Sequence, residues 1–262
     1  MSKELKEVVK RTYTQALLNK DGCGCSTTCC SPEQEVTFNE SYLYIDGYLP
    51  EADFALGCGI PTEFAKIKTG DTVLDLGSGA GNDVFVVRSI VGETGKVVGV
   101  DMTEAMIKKA NENNQKLGHT NVDFLLGEIE DLPLDANTID VVVSNCVMNL
   151  VPDKTKAYSE VYRVLNPQGH FSISDIVLGG DIPISIRDAA EMYAGCVSGA
   201  LSIVDYLQSI KDAGFSNVKV LKERQIVLPD DILLKYLSEE ELLEFRKQPS
   251  PILSITVFAD KN

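Results

Sequence analysis

The chain has 262 residues, of which 44% are hydrophobic and 24% are charged, and this is the ordinary composition of a globular protein with an ample core. Its formal net charge of −15 at pH 7 argues against a nucleic-acid or anionic-membrane partner, because an acidic surface repels phosphates. The sequence contains no run of about 18 apolar residues, so we expect no membrane-spanning helix.

The first 20 residues predict an amphipathic helix. Leu5, Val8, Val9, Ala16 and Leu17 recur at helical spacing. The segment lacks the continuous apolar core and the cleavage site of a signal peptide. We therefore expect a cytoplasmic protein, in which thiols stay reduced.

A cysteine-rich stretch, DGCGCSTTCC, follows at residues 21–30. It holds four of the seven cysteines, namely Cys23, Cys25, Cys29 and Cys30. A zinc knot, a disulfide staple and a catalytic thiol are all compatible with the stretch itself. An odd number of cysteines in a reducing compartment favours reactive or ligand thiols over a disulfide framework.

From Thr72 onward, buried-strand runs alternate with helical segments. The runs are TVLDL, KVVGVD, VDFLLGE, IDVVVSNC and GHFSISDIV. Such alternation predicts a parallel sheet covered on both faces. Two later strands, in NVKVLKERQIVL and ILSITVFADKN, are expected to close the sheet as an antiparallel edge hairpin, with an acidic helical insert between them.

The expected fold class is therefore α/β, with a Rossmann-like, doubly wound, mainly parallel sheet. We assign residues 1–60 to an N-terminal helix and a cysteine-rich lid segment. Residues 61–178 form the predicted cofactor-binding core. Residues 179–262 hold a substrate-side segment, the helical insert and the closing edge strands.

A glycine-rich loop follows the first strand of the predicted sheet. Its candidate cofactor contacts are Asp75, Gly77, Ser78, Gly79 and Gly81. Glycines allow a ligand to touch the backbone, and ligands of open parallel sheets bind beyond the carboxyl ends of the strands. The loop lacks the Lys-Ser/Thr of a nucleoside-triphosphate loop and the spacing of a dinucleotide loop. Asp101 ends the second strand, where a carboxylate can accept both ribose hydroxyls of a nucleoside.

The G-x-G-x-G loop resembles that of Rossmann-like S-adenosylmethionine methyltransferases. This resemblance selects S-adenosylmethionine over a nicotinamide cofactor. LGEIEDLPL is similar to the adenine-flanking turn of these enzymes, which makes Gly127, Glu128 and Ile129 candidates beside the base. A solvated turn carboxylate is the alternative for Glu128. Met102, after the ribose acid, and Asn145, at the end of the fourth strand, are further candidate contacts.

Three cysteines lie on segments that border the same predicted cleft. Cys58 is in the glycine-flanked turn LGCGIP, Cys146 ends the fourth strand, and Cys196 is in YAGCVSGAL after the fifth. Each alone is typical of a small buried hydrophobic residue. Three thiolates without a nearby histidine favour a soft centre. Zinc normally takes a fourth ligand, which a sulfur from residues 21–30 could supply. Trivalent arsenic is satisfied by three sulfurs and keeps a lone pair for attack on a positioned sulfonium methyl.

Six motifs together resemble the arsenite S-adenosylmethionine methyltransferases, in the same order along the chain. They are LGCGIP, VLDLGSGAG, GVDMTEAMI, LGEIEDLP, SNCVMNL and YAGCVSGAL. The resemblance implies arsenic detoxification, with As(III) bound by Cys58, Cys146 and Cys196 and methylated through its lone pair. It also implies that an N-terminal cysteine forms a disulfide with Cys58 during turnover. Four cysteines are available there, and Cys30 is our first candidate, followed by Cys29. Thioredoxin or another thiol such as glutathione would then reduce that disulfide.

Two other functions remain open at this point. One is a generic small-molecule methyltransferase with structural cysteines, and the other is a non-enzymatic metal- or redox-sensing protein. Asp175, at the end of the fifth strand, could either face the cleft or cap a loop. Tyr42, Tyr44 and Tyr48 could shield a sulfonium through cation–π contact, although core packing is the alternative.

Overall fold

The computed structural model of the chain describes residues 6–7, 9–11, 13–14, 17, 40–182, 185, 200–247 and 251–262. The cysteine-rich stretch at residues 21–30 lies outside the described residues, and so does Cys196. Within the described ranges, no helix combines the length and the apolar character that crossing a bilayer requires.

Seven strands form one sheet in the order β3-β2-β1-β4-β5-β7-β6. The strands are β1 (Thr72–Leu76), β2 (Lys96–Asp101), β3 (Val122–Leu126), β4 (Ile139–Asn145), β5 (Leu165–Leu178), β6 (Ser216–Gln225) and β7 (Ile252–Asp260). Strands β1 to β5 pair in parallel, whereas β7 pairs antiparallel with both β5 and β6. The predicted α/β class, with a parallel sheet and an antiparallel edge, is confirmed.

Six α-helices of the described chain connect or cover these strands. They are α1 (Asn82–Val91), α2 (Glu104–Leu117), α3 (Lys154–Val164), α4 (Ile203–Asp212), α5 (Asp230–Leu233) and α6 (Glu239–Arg246). Residues 6–7, 9–11, 13–14 and 17 are also helical. Side-chain caps fix several starts: Asp153 accepts the N–H of Lys156 before α3, and Ser202 accepts that of Asp205 before α4. A capping box of Ser238 and Glu241 starts α6.

The sheet is buried on both faces, and alternate residues of β1 show why. Val73 faces a core cluster that contains Phe85 of α1 and Met106 of α2. Leu74 points the other way, into a cluster with Tyr158 of α3 and Tyr206 of α4. Since side chains alternate along a strand, a continuous apolar run fills both faces at once.

Strand β5 begins earlier than the sequence pattern predicts. The run GHFSISDIV places its start at Gly169, but pairing with β4 begins at Leu165. The register then shifts, so that Ile139 pairs with Leu165 and Val141 with His170. The extra residues of β5 between these two pairs form a bulge, with Gln168 at φ 68°.

The acidic segment between β6 and β7 folds as two short helices, α5 and α6. The carboxylates of Glu239, Glu240, Glu241 and Glu244 are exposed, as expected for a solvated face. The apolar side chains Leu233, Leu237 and Leu242 instead pack into a third core cluster, which also contains Cys58 and Cys146. This segment therefore forms an apolar wall beside two of the predicted site residues.

Candidate active site

The glycine-rich loop turns sharply at the end of β1. Gly77 and Ser78 both donate their N–H groups to the carbonyl oxygen of Val100, at 2.7 and 3.0 Å. Gly77 has φ 67°, and a Cβ there would lie 2.4 Å from the Val147 side chain. Gly79 has φ 52°, and a Cβ there would meet nothing within 4 Å. The loop thus needs glycine at Gly77 to pass Val147, and it presents bare backbone to open space at Gly79.

Asp101, the predicted ribose acid, is joined directly to this loop. One of its carboxylate oxygens accepts the N–H of Gly79 at 3.0 Å, and the other accepts the N–H of Thr103 at 2.8 Å. Asp101 is 8% exposed. Each carboxylate oxygen has a further acceptor site, so the arrangement suits a pair of vicinal hydroxyls at the mouth of the loop.

Two adjoining pockets lie over the loop and share Tyr13, Gly77 and Val147 in their linings. The first encloses about 630 Å³, and its lining includes the predicted residues Asp101, Met102, Glu128 and Ile129. The second encloses about 660 Å³, and its lining includes the predicted residues Asp75, Ser78, Gly79 and Asn145. Gly81 lines neither pocket, because it lies against the rings of Phe85 and Phe124 at the start of α1.

Three buried carboxyl groups line the two pockets, Asp75 and Asp83 in the second and Asp101 in the first. Burial, and then the charges of Asp83 and Asp101, raise the pKa of Asp75 well above its usual range. Burial raises the pKa of Asp83 to about 6, against hydrogen bonds from Tyr42 and Asn145. Burial also raises the pKa of Asp101. A cation placed here would relieve the repulsion and favour the ionised carboxylates.

A polar group is also expected in this cleft. The buried hydroxyl oxygen of Ser78 has no hydrogen-bond partner among the described residues, and neither does Oδ1 of Asn82. Buried polar atoms are normally paired. Together with the three carboxyls, these atoms fit a polar cation such as the methionine part of S-adenosylmethionine, which carries a sulfonium and an ammonium group.

The N-terminal helical residues cover the first pocket. Lys6, Val9 and Tyr13 line it. The ammonium group of Lys6 lies 2.7 Å from the Glu128 carboxylate and also contacts Glu130. The hydrogen bond from Lys6 lowers the pKa of Glu128. The Glu128 side chain is 46% exposed, so it lies at the rim of the pocket.

Cys58, Cys146 and Asp175 meet at the carboxyl ends of β4 and β5. Both sulfur atoms and a carboxylate oxygen lie within 4.8 Å of one another, and all three residues are buried. Cys58 comes from the turn before a 3-10 helix at Pro61–Glu63, and Cys146 directly follows β4. The structure therefore brings together two of the three predicted cysteines, while Cys196 lies outside the described residues.

Asp175 faces this cysteine pair and also caps the loop after β4, because its carboxylate accepts the backbone N–H of Asn149. Its carboxylate accepts hydrogen bonds from the Tyr206 hydroxyl and from its neighbour Ile176 N–H, both at 3.1 Å. Burial raises the pKa of Asp175 to about 7, which the hydrogen bond from Tyr206 opposes. The sequence places Asp175 at a strand end but gives no signal for Tyr206, which comes from α4.

The backbone of Cys58 is fixed from three directions. Its N–H donates to the side-chain oxygen of Asn145 at 3.0 Å. Its carbonyl oxygen accepts the Ser254 hydroxyl at 2.6 Å and an Arg224 guanidinium N–H at 3.2 Å. Ser254 and Arg224 belong to β7 and β6, outside every motif in the sequence. No sequence signal pointed to these two residues.

Asn145 lines the cleft as predicted, but its hydrogen bonds hold the cysteine turn. Its side-chain N–H groups donate to the carbonyl oxygen of Gly59 at 2.8 Å and to the Tyr42 hydroxyl oxygen at 2.9 Å. A Cβ at Gly57 would lie 2.6 Å from the Asn145 amide nitrogen. The glycines around Cys58 therefore allow the turn to approach the end of β4 closely.

Cys146 adopts a backbone conformation that is rare for a residue with a side chain. Its φ is 62°, and such a conformation costs on the order of 1 kcal/mol. Its N–H donates to the Ser174 carbonyl oxygen at 2.7 Å, which continues the β4–β5 pairing by one bond. Strain at a non-glycine residue is typical of functional positions, and here it accompanies the approach of two sulfur atoms.

Residues 67–226 of the chain match a family described as a methyltransferase domain. An arsenite methyltransferase of Halobacterium salinarum is 41% identical over 229 residues, which cover 83% of this chain and 59% of that protein. The arsenite methyltransferase of Mus musculus is 38% identical over 170 residues, which cover 61% of this chain and 44% of that protein. The chain thus spans between two-fifths and three-fifths of the length of these curated relatives.

Solved structures give a similar result. An arsenic (III) S-adenosylmethionine methyltransferase from Chlamydomonas reinhardtii is 35% identical, with a TM-score of 0.62, and the match covers 77% of this chain and 66% of that one. An N-methyltransferase of Haemonchus contortus has a TM-score of 0.62 at 21% identity, and covers 79% of this chain and 54% of that one. The likeness to the second protein concerns the fold alone.

Proposed function

The chain belongs to the methyltransferase-domain family and uses S-adenosylmethionine, as its solved relative from Chlamydomonas reinhardtii does. From that premise we propose that it methylates trivalent arsenic bound by cysteine thiolates. The observation that carries the proposal is the buried pair of Cys58 and Cys146, whose sulfur atoms lie within 4.8 Å at the end of β4. Relatives named arsenite methyltransferases confirm the resemblance to that family and support arsenic as the substrate.

The cleft residues divide into two groups around the cofactor. In the first pocket, Asp101 is positioned to accept the ribose hydroxyls, with Ile129 beside the base. In the second, Asp75 and Asp83 offset the positive charge of the methionine part. When bound, S-adenosylmethionine supplies an electrophilic methyl group on a sulfonium. These protein groups bind and orient the cofactor and transfer no proton.

Cys58, Cys146 and Cys196 are proposed as the three ligands of the arsenic. Exchange of three arsenite hydroxyl groups for three thiols releases three water molecules, so the thiol protons leave with the hydroxyls. Three sulfur ligands leave the arsenic with its lone pair, which is the nucleophile for the methyl group. Holding that lone pair towards the cleft is the main catalytic contribution of the cysteines, because a positioned reactant avoids much of the entropic barrier.

Turnover is proposed to include a disulfide between Cys58 and Cys30, with Cys29 as the next choice. Methylation raises arsenic to the pentavalent state, and two protein thiols return the two electrons as they join. Glutathione or thioredoxin then reduces the disulfide by thiol exchange. Such a cycle in a reducing cytoplasm would serve arsenic detoxification.

The experiment is a methylation assay on the reduced protein with S-adenosylmethionine, arsenite and excess thiol, read by mass spectrometry of arsenic species. Cys146→Ser and Cys58→Ser should lose methylation and keep cofactor binding. Cys23→Ser is the matched control and should stay active. Cofactor binding without any methylated arsenic would contradict the proposal and favour a methyltransferase with another nucleophile.

A further inference from the structure

The donor atoms beside the cleft are two sulfurs and one carboxylate oxygen rather than sulfurs alone. We propose that Cys58, Cys146 and Asp175 form a binding site for a zinc-like divalent cation. Arsenic with three sulfur ligands is neutral and has no need of a carboxylate. The cation site is independent of the proposed function, because it uses only these three residues and holds whether or not arsenic is a substrate.

The geometry is close to that of a tetrahedral site. Zinc lies about 2.3 Å from a thiolate sulfur and about 2.0–2.2 Å from a carboxylate oxygen, which places neighbouring ligand atoms roughly 3.5–3.8 Å apart. In the structure, the three ligand atoms lie within 4.8 Å of one another. Side-chain movements of about 1 Å or less would therefore close the site. Three protein ligands with one open position are the arrangement of many zinc sites.

The charges and surroundings also suit such a cation. As ligands, two thiolates and a carboxylate would carry three negative charges, beside the apolar side chains of Ile176, Leu233 and Ile252. A divalent cation offsets two of these charges, and Lys154 acts electrostatically on Asp175. Thiolate ligands favour zinc or cadmium over magnesium or calcium.

The carboxylate is oriented as a ligand requires. The Tyr206 hydroxyl donates to one oxygen of Asp175 at 3.1 Å, and Tyr206 is fully buried. A hydrogen bond of this kind holds a ligating carboxylate in place, as in many metal sites. The bound cation would occupy the sulfur atoms proposed for arsenic, so zinc and arsenite should compete.

The test titrates the full chain with zinc alone, against a chromophoric chelator. Cys23, Cys25, Cys29 and Cys30 are changed to serine in every arm, so that the cysteine-rich stretch adds no signal. We expect one zinc per chain. Asp175→Asn should weaken zinc binding roughly 10- to 100-fold or more while it leaves arsenite binding unchanged. The exposed Asp212→Asn is the matched control and should bind zinc as the parent does.

X-ray absorption at the zinc edge tests the site without a change at Asp175, in case that variant does not fold. We expect two sulfur neighbours at about 2.3 Å and oxygen neighbours at about 2.0 Å. An all-sulfur or an all-oxygen shell would overturn the inference, as would equal zinc affinity of folded Asp175→Asn and its parent. If the protein binds zinc at this site but does not methylate arsenic, the zinc site is supported and the proposed function is contradicted.

Discussion

The side-chain oxygen of Asn145 accepts the backbone N–H of Cys58 at 3.0 Å. Since Asn145 directly precedes Cys146, a single residue fixes the position of one cysteine relative to the other. The two partners are 87 residues apart in the chain, and they come from a turn and a strand end that meet at the cleft. The backbone of the Cys58 turn is therefore held against the end of β4, where Cys146 follows.

Asn145→Ala should loosen the cysteine pair. We expect arsenite binding, measured without cofactor, to weaken about tenfold, and the free energy of unfolding to fall by about 1–3 kcal/mol because buried partners lose their hydrogen bonds. Asn166→Ala is the control, since it removes the side-chain hydrogen bond of another asparagine, to Asp140, away from the cysteines. Equal arsenite affinities in Asn145→Ala and wild type would show that Asn145 does not position Cys58.

Asp101→Ala should weaken the binding of S-adenosylhomocysteine about 10- to 100-fold, because two charge-assisted hydrogen bonds to the ribose are lost. Calorimetry is the appropriate measurement, since the chain has no tryptophan. Asp123→Ala, on the neighbouring strand β3, controls for the loss of a carboxylate that is ion-paired with Lys96. Unchanged affinity in Asp101→Ala would remove the ribose assignment.

The stability of the cofactor-free protein should depend on the protonation of Asp83. Burial raises the pKa of Asp83 from 3.8 to about 6, so the folded state holds this proton more tightly than the unfolded state. The stabilisation is complete below about pH 4 and is lost as the pH rises through about 6. Asp83→Asn should therefore remove roughly 1 kcal/mol of the stability gained between pH 7 and pH 5. Urea unfolding at both pH values measures this difference in the free energy of unfolding. Asp212→Asn should leave the difference unchanged.

Lys6→Ala should speed the release of the cofactor. An ion pair of this kind contributes up to about 1 kcal/mol, so the dissociation rate of S-adenosylhomocysteine should rise about two- to fivefold in stopped-flow measurements. The rate of the wild type should also rise with salt, because salt screens the contact with Glu128. Lys10→Ala is the control variant, since Lys10 pairs with Glu7 at 3.8 Å and does not line the first pocket. A salt response that persists in Lys6→Ala would point to other charges.

The parallel pairing of the first five strands could be expected from the sequence, whereas the position of β7 between β5 and β6 was not. Apolar runs joined by helices predict parallel neighbours. Strand β7 is buried along nearly its whole length, while β6 alternates between half-buried and exposed residues. The sequence already contains this difference, since Val218 and Val220 of β6 alternate with polar residues. A prediction based on that alternation would have placed β7 inside the sheet and β6 at its edge.

The candidate site was predictable in part. The approach of Cys146 to the cleft follows from its position after a parallel strand. The approach of Asp175 depends on a hydrogen bond from Tyr206, and the position of Cys58 depends on Ser254 and Arg224. These partners come from a helix and two strands far along the chain, and no local pattern encodes contacts that arise only when layers pack together.

The hydroxyl of Ser254 reaches the carbonyl oxygen of Cys58 across 196 residues of chain. During synthesis, both Cys58 and Cys146 leave the ribosome long before β7 exists, so the contact that completes the cysteine turn is among the last to form. In a nascent chain the sulfur atoms of Cys58 and Cys146 are therefore not yet enclosed by the folded protein, and soft electrophiles in the cell can react with them. If arsenite is the substrate, it is also a hazard to the folding of the enzyme that would remove it.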